Sequence, residues 1–335
     1  MSSNFFTNNT ISVSDELDVA KFFREKSIEY ENQRNYPKAL EYALKSNSIF
    51  EKYNDITENL FSVAYSENQV AVYLSLCKNY RDALKYYSKS YETYKKFIST
   101  SKEPNYKILS NIKYDMAEIC DVLGENEHAI NNYLLALHWI IDKYDNVKQD
   151  SAEIVFNSIN SLVSYYNKNY QFNIEKELFS TYEFFKRTGA YEYLHYAAVC
   201  AVNLGTICAK KHTGISSALQ TLADYKEYRK NFNDNNSYKD SYYDRVSIDI
   251  CSGNLNMILN QTKRAIFDFS LALDNMDKAI ISSPEYVDCY KKYINTMKKH
   301  FANYENNDSI VWFDYKSKIA KCENLLHKFE EDMII

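Results

Sequence analysis

Side chains able to do covalent or metal chemistry are few in this chain, and their spacing does not serve it. Cys208 and His212 stand four residues apart, one helical turn, which places a thiol and an imidazole on one face as half of a zinc site. No second pair completes the tetrahedron, so no metal is expected. Cys322 and His327 stand five apart, off a common helical face, which is the wrong spacing for a nucleophile and its base. "LHWII" around His138 and Trp139 reads as a packed helix face and not as a cofactor box. Five glycines in 335 residues are too few and too isolated to build a phosphate-cradling loop. The seven cysteines are odd in number, scattered, and lack a Cys-x-x-Cys pair, so they read as free thiols in a reducing compartment. The expectation is a protein without catalytic residues, metal, cofactor or small-molecule substrate, and so not an enzyme.

The elements that must position whatever else the chain carries are helices. A 45% hydrophobic share supports a continuous core, and five Gly with three Pro leave too few turn residues for a sheet protein. The net charge of −5 argues against a nucleic-acid partner, which normally meets a basic face. No run approaches the roughly 20 apolar residues of a membrane span, and the first residues lack the basic and apolar regions of a signal peptide. Cytoplasmic placement is expected.

The organising feature is a repeated phrase. "NYPKALEYALKSNSIFEKY" from Asn35 returns as "NYRDALKYYSKSYETYKKF" from Asn79. Ala39, Ala43 and Ser46 become Ala83, Tyr87 and Ser90, then Ala129, Tyr133 and Ala136. Ala218, Leu222 and Tyr225 follow, then Ala265, Phe269 and Ala272, with a degenerate copy near Ile174. The anchors 39, 83, 129, 174, 218 and 265 lie 44 to 47 residues apart. Small and aromatic residues at i, i+4 and i+7 mark one helical face, the second-helix signature of a tetratricopeptide-type hairpin. The ordinary tetratricopeptide period is about 34 residues, so each helix here should be longer by one or two turns.

Helices are expected near 15–33, 37–53, 57–77, 81–97, 104–122, 126–144, 151–167, 170–186, 190–209, 214–230, 239–258, 261–277, 284–303 and 308–330. Ser14 before Asp15 and Glu16 is read as opening the first, and Asp150 with Glu153 as a capping-box variant. Pro37, Pro104 and Pro284 all fall where a helix should begin. The fold class is all-α: a right-handed solenoid of about seven long antiparallel hairpins ending in a C-terminal helical bundle. The expected divisions are a flexible segment over 1–14, a hairpin array over 15–189 and the bundle over 190–335.

Three regions resemble the soluble adaptor proteins that link the fusion ATPase to SNARE bundles, the alpha/beta/gamma SNAP family. The long repeats are one. The second is "NIKYDMAEICDVLGENEHAINNYLLAL" (Asn111 to Leu137), similar to the family's central hairpin, together with "EYLHYAAVCAVNLG" (Glu192 to Gly205), similar to the helix opening its C-terminal part. The third is Ser3-Asn4-Phe5-Phe6 ahead of the first repeat, where the family has a Phe-containing loop that touches the membrane.

The resemblance implies an adaptor that binds a SNARE helical bundle, recruits an NSF-like AAA ATPase and touches membranes peripherally. It assigns membrane contact to Phe5 and Phe6, and SNARE contact to Lys38, Lys45, Lys85 and Lys89. ATPase contact falls to Leu325, Leu326, Glu330, Glu331 and Asp332. Each has a plainer reading: packed or disordered phenylalanines, solvated lysines, and a last helix with core leucines and an acidic end. The departures are that the Phe pair sits in "MSSNFFTNNT" without the family's glycines, and that the chain runs on beyond its last recognisable repeat. The alternative function is a tetratricopeptide-type peptide-binding regulator or scaffold; a phosphatase-like or allosteric regulator built on such an array is a third.

Overall fold

The computed structural model describes residues 12–102, 104–143, 149–232, 241–302 and 310–333. Fourteen α-helices run through them: α1 (Val13–Asn32), α2 (Tyr36–Phe50), α3 (Leu60–Leu76), α4 (Tyr80–Thr100), α5 (Tyr106–Leu123), α6 (Asn126–Ile141), α7 (Gln149–Asn167), α8 (Ile174–Thr188), α9 (Leu194–Lys211), α10 (Ile215–Arg229), α11 (Ser241–Ile258), α12 (Thr262–Ser282), α13 (Val287–Phe301) and α14 (Ile310–Met333). The described residues contain no strand. Every helix foreseen from the periodicity is present.

Two compact units divide the chain between Tyr170 and Gln171. In the first, each helix packs on the next from α1 to α7, the tightest pairs being the hairpins α1–α2, α3–α4 and α5–α6. In the second, α8 packs on α9, α9 on both α10 and α11, α11 on α12, and α14 on α12. Helix α8, grouped with the array by the sequence reading, thus packs inside the second unit.

The repeat phrase is the core. Ala39, Ala83, Ala129, Ile174, Ala218 and Ala265, the six anchors, are all fully buried. So are the residues four and seven places later in every copy, from Ala43 and Ser46 to Phe269 and Ala272. A small anchor lets the facing helix approach, and the residue four places on fills the space beside it. The hydroxyls lock the register of the first unit. Ser46 Oγ donates to the Ala20 carbonyl and Ser90 Oγ to that of Ala64, both at 2.8 Å. In the third hairpin the same pair of positions is occupied with the chemistry exchanged: Ser110, on the first helix, donates to Ala136 O at 2.6 Å.

A seventh copy also exists. Tyr315, Ile319 and Cys322 repeat the i, i+4, i+7 pattern and are buried in the core of the second unit. A tyrosine at the anchor hides it from a search keyed on alanine.

The differences from expectation are local. The first helix is capped by Ser12, not Ser14: Ser12 Oγ accepts from Asp15 N–H, and Asp15 accepts from Ser12 N–H in return. Helix α7 already begins at Gln149, one residue ahead of the Asp150 start that the sequence suggested. Pro104 stands two residues ahead of α5, whose N-cap is Asn105. Turns of two or three residues close the hairpins α1–α2, α3–α4 and α5–α6. Gly124 and Gly189 end α5 and α8 in the left-handed conformation, φ 72° and 64°, where a Cβ is strained.

Candidate functional site

A cluster of charged side chains lies in the second unit, along a groove with α10 and α12 as walls and α11 as floor. At its centre Lys226 of α10 reaches across. Its Nζ lies 2.8 Å from Asp249 Oδ1 on the floor and 3.1 Å from Asp268 Oδ1 on the opposite wall. Asn256 Nδ2 donates to the other oxygen of Asp268 at 2.8 Å, which fixes that carboxylate. Burial opposes the charge of Lys226, yet the two carboxylates hold its ammonium above the usual lysine range. Burial pushes the Asp249 carboxyl up to about 6, against the pull of Lys226.

This strut parts the groove into two cavities. One, of about 520 Å³, is lined by Arg229, Lys230 and Arg245 with Tyr225, Ile248 and Leu271 among its apolar surfaces. Four basic residues and one acidic residue border it, counting Lys226 and Asp249. The other, of about 470 Å³, is mixed: Leu219, Leu259 and Phe267 line it together with Gln220, Gln261 and Arg264, its second basic residue beside Lys226. Phe267 is 65% exposed, an unusual placement for a large apolar ring.

The local sequence explains the arrangement. Lys226 stands eight residues after the anchor Ala218, where the other copies carry Asn47, Tyr91, Leu137, Tyr182 and Leu273. Asp249 stands sixteen before the anchor Ala265, the place of Glu67 and Lys113 in earlier copies. These two positions meet between successive hairpins, so a lysine and an aspartate there must face each other. The sequence reading missed this site because it followed the apolar phrase. The available signal was a charge at a repeat position that the other copies fill with buried apolar or amide side chains.

The residues singled out earlier lie elsewhere. Lys45 pairs with Glu41 at 2.6 Å and Lys85 with Asp82 at 2.7 Å, each along its own helix. Lys89 pairs with Glu51 and reaches Glu67 at 3.5 Å, and Lys38 sits 5.2 Å from the centre of the Tyr30 ring. All four lysines are thus engaged locally in the first unit. Leu326 is buried and Leu325 half-buried in the core of the second unit, which is the packing role for these leucines. Phe5, Phe6 and the side chains of Glu330, Glu331 and Asp332 lie outside the described residues.

Among the described residues, Cys208 and His212 included, no three His, Cys, Asp or Glu side chains converge to hold an ion. Cys322 is buried with its thiol pushed up to about 11 by burial, which suits a core thiol better than a nucleophile. No described helix is long and apolar enough to cross a membrane.

No protein-family model and no curated protein matches the chain. Solved structures similar to it include BtubC from P. vanneervenii, at 13% identity over 81% of this chain and 93% of that one, with a TM-score of 0.39. The TPR2AB domain of yeast Sti1 in complex with an HSP90 peptide is 15% identical over 82% of this chain and 98% of its own, with a TM-score of 0.33. A Rap protein complexed with Competence and Sporulation Factor is 12% identical over 95% and 98%, with a TM-score of 0.30. All three superpose at TM-scores below 0.5, so a functional reading must stand on this chain's own residues.

Proposed function

We propose that the protein is a non-enzymatic helical-repeat scaffold that binds a segment of a partner protein in the α10–α12 groove. The observation that carries this reading is the excess of basic residues lining one groove of a chain whose net charge is −5. A cationic cleft with apolar walls in an acidic molecule draws anionic segments to one place and repels them elsewhere. Tyr225, Ile248 and Leu271 supply the apolar contact that turns attraction into residence.

Selection of a displayed random octapeptide library on the purified chain tests the reading. Peptides enriched in Asp and Glu should emerge, and Lys230→Glu together with Arg245→Glu should weaken them by at least about tenfold. Enriched peptides that bind the double variant unchanged would contradict it.

The finer role implied by the resemblance, SNARE-bundle binding with recruitment of an NSF-like ATPase, makes a different demand. It places contact at Lys38, Lys45, Lys85 and Lys89 of the first unit, and membrane contact at Phe5 and Phe6. An assembled SNARE bundle whose binding depends on those lysines supports that role. Failure of the bundle to bind at low salt removes it and leaves the groove reading intact.

A further inference from the structure

Val19 and Phe22 stand on the outer side of α1, 45% and 51% exposed. Their repeat positions show what kind of cover this face takes. At the anchor spacing, 44 residues on, Val63, Ser66 and Val70 of α3 are the counterparts of Val19, Phe22 and Lys26. In α5, 90 residues on, the counterparts are Leu109, Ile112 and Met116. All six are buried. They lie on the face that meets the hairpin before. Ser66 donates to Asn47 of α2 at 2.9 Å, and Lys113, beside Ile112, lies over the Tyr91 ring of α4. Among the described residues no helix stands ahead of α1, so in α1 the same face is open.

We infer that α1 docks on α1 of a second copy of this chain, antiparallel and about a two-fold axis. The stripe on the open face runs Asp15, Val19, Phe22 and Lys26, in steps of four, three and four residues. The steps are the same read from either end, while the chemistry runs acid, apolar, apolar, base. An antiparallel copy centred between Ala20 and Lys21 therefore sets Asp15 of each chain opposite Lys26 of the other. The same register sets Val19 of each chain opposite Phe22 of the other. A parallel copy would set like charges on each other. Steps of three and four are those of helices that meet along a seam, and a two-fold contact closes on itself without growing into a filament.

The charged ends can make these contacts while keeping the ones they have. Asp15 Oδ2 accepts from Ser12 N–H at 3.2 Å, and a carboxylate takes further donors on its other oxygen. Lys26 pairs with Glu29 on the surface at 2.6 Å and lies 6.0 Å from the centre of the Phe22 ring. Its ammonium carries three protons, enough for a second carboxylate. Exposed ion pairs contribute little, so the four apolar side chains supply the attraction and the charges set its direction. A seam this short makes a weak, reversible dimer.

Sedimentation equilibrium of the full chain from about 1 to 500 μM tests the contact. A monomer–dimer equilibrium is expected with Kd on the order of 10–100 μM. Phe22→Ser should raise Kd at least about tenfold, and Lys26→Glu should raise it several-fold by setting an acid against Asp15 of the other chain. Asp15→Gln keeps the capping box, since glutamine serves at that position. Alone it should weaken the dimer; added to Lys26→Glu it should recover several-fold, because it removes the facing like charge. Residues 15 and 26 are about 16 Å apart along one helix, so such a recovery arises only between two chains. All three positions are on the surface, so the variants keep the fold.

A chain that stays monomeric to about 500 μM overturns the dimer. A dimer that Phe22→Ser leaves intact, or one in which Asp15→Gln does not recover the loss from Lys26→Glu, overturns the α1 seam.

Discussion

Lys113 in the first unit and Asp249 in the second occupy one repeat position, sixteen residues before their anchors; Tyr91 and Lys226 occupy the position they face. In the second unit this contact is an ion pair, Lys226 with Asp249 at 2.8 Å, shared with Asp268. In the first it is a cation over a ring: Lys113 Nζ lies 4.0 Å from the centre of Tyr91, with Asn132 Oδ1 at 3.4 Å. Burial pulls the Lys113 ammonium below its usual range, whereas the two carboxylates hold Lys226 above it. One backbone geometry therefore serves two purposes. The first unit uses the contact to weld hairpins together, and the second uses it to set a charged strut across an open groove. A repeat fold fixes where side chains meet; their identity decides whether the meeting is core or site.

Removing each lysine breaks the comparison most sharply. Lys226→Met leaves Asp249 and Asp268 facing each other without their cation, and should destabilise the second unit by about 3 kcal/mol. Lys113→Met orphans no carboxylate and replaces a desolvated charge with an apolar chain, so its effect should stay within about 1 kcal/mol of neutral. Hydrogen exchange resolved by helix measures both, since each loss should appear only in its own unit. Equal losses would mean that the two contacts are energetically alike.

The next test concerns helix approach. Gly253, twelve residues before its anchor, faces Phe269, and a Cβ there would come within 2.4 Å of that ring. Ala71 and Ala117 hold the same position in the first unit. Gly253→Ala should therefore cost about 1–3 kcal/mol by overpacking. Ala117→Gly should cost about 1–2 kcal/mol, from helix propensity and the loss of one buried methyl. Denaturant midpoints of the two variants compare them.

Protonation gives a third contrast. Asp115 in the first unit is pushed up to about 7 by burial and by Glu118, while the Tyr87 hydroxyl donates to it. Asp249 is pushed up to about 6 with Lys226, Asp268 and Arg245 around it. Both lie above the ordinary aspartate value of 3.8. Between that value and the folded one, the native chain holds a proton that the unfolded chain has released. Stability should fall as pH rises through about 4 to 7 for Asp115 and about 4 to 6 for Asp249. Asp115→Asn and Asp249→Asn should each flatten the corresponding part of the urea-midpoint profile between pH 4 and 8.

The smallest effect tests the register bonds. Ser90→Ala should cost about 0.5–1.5 kcal/mol. Ser110→Ala should cost about as much, and adding Ala136→Ser should restore most of it by moving the donor to the other helix, as the first two hairpins have it.

Most of the fold was legible in the sequence because it depends on a phrase of small and aromatic residues repeated at 44 to 47 residues, and each phrase is a buried helix face. What escaped were features that the phrase does not encode. Ser12 caps the first helix because its reciprocal bond with Asp15 beats the nearer Ser14. The seventh copy carries Tyr315 where the others carry a smaller residue. The groove was illegible to a search for motifs because Lys226, Arg229, Arg245 and Asp249 converge from two helices and make no local pattern. Only laying the six copies over one another exposes a lysine and an aspartate at facing positions. The lysines that the resemblance singled out, Lys38, Lys45, Lys85 and Lys89, carry no local signal of a site, and Lys45 and Lys85 pair along their own helices with Glu41 and Asp82.

Photo-crosslinking tests the central claim most directly. The full chain is irradiated with an acidic peptide from the octapeptide selection carrying a benzophenone at one end, and the attached residues are read by mass spectrometry. The groove reading predicts adducts on α10, α11 and α12 that disappear when unlabelled peptide competes. Adducts confined to the first unit, or spread over both units and indifferent to competitor, would contradict it.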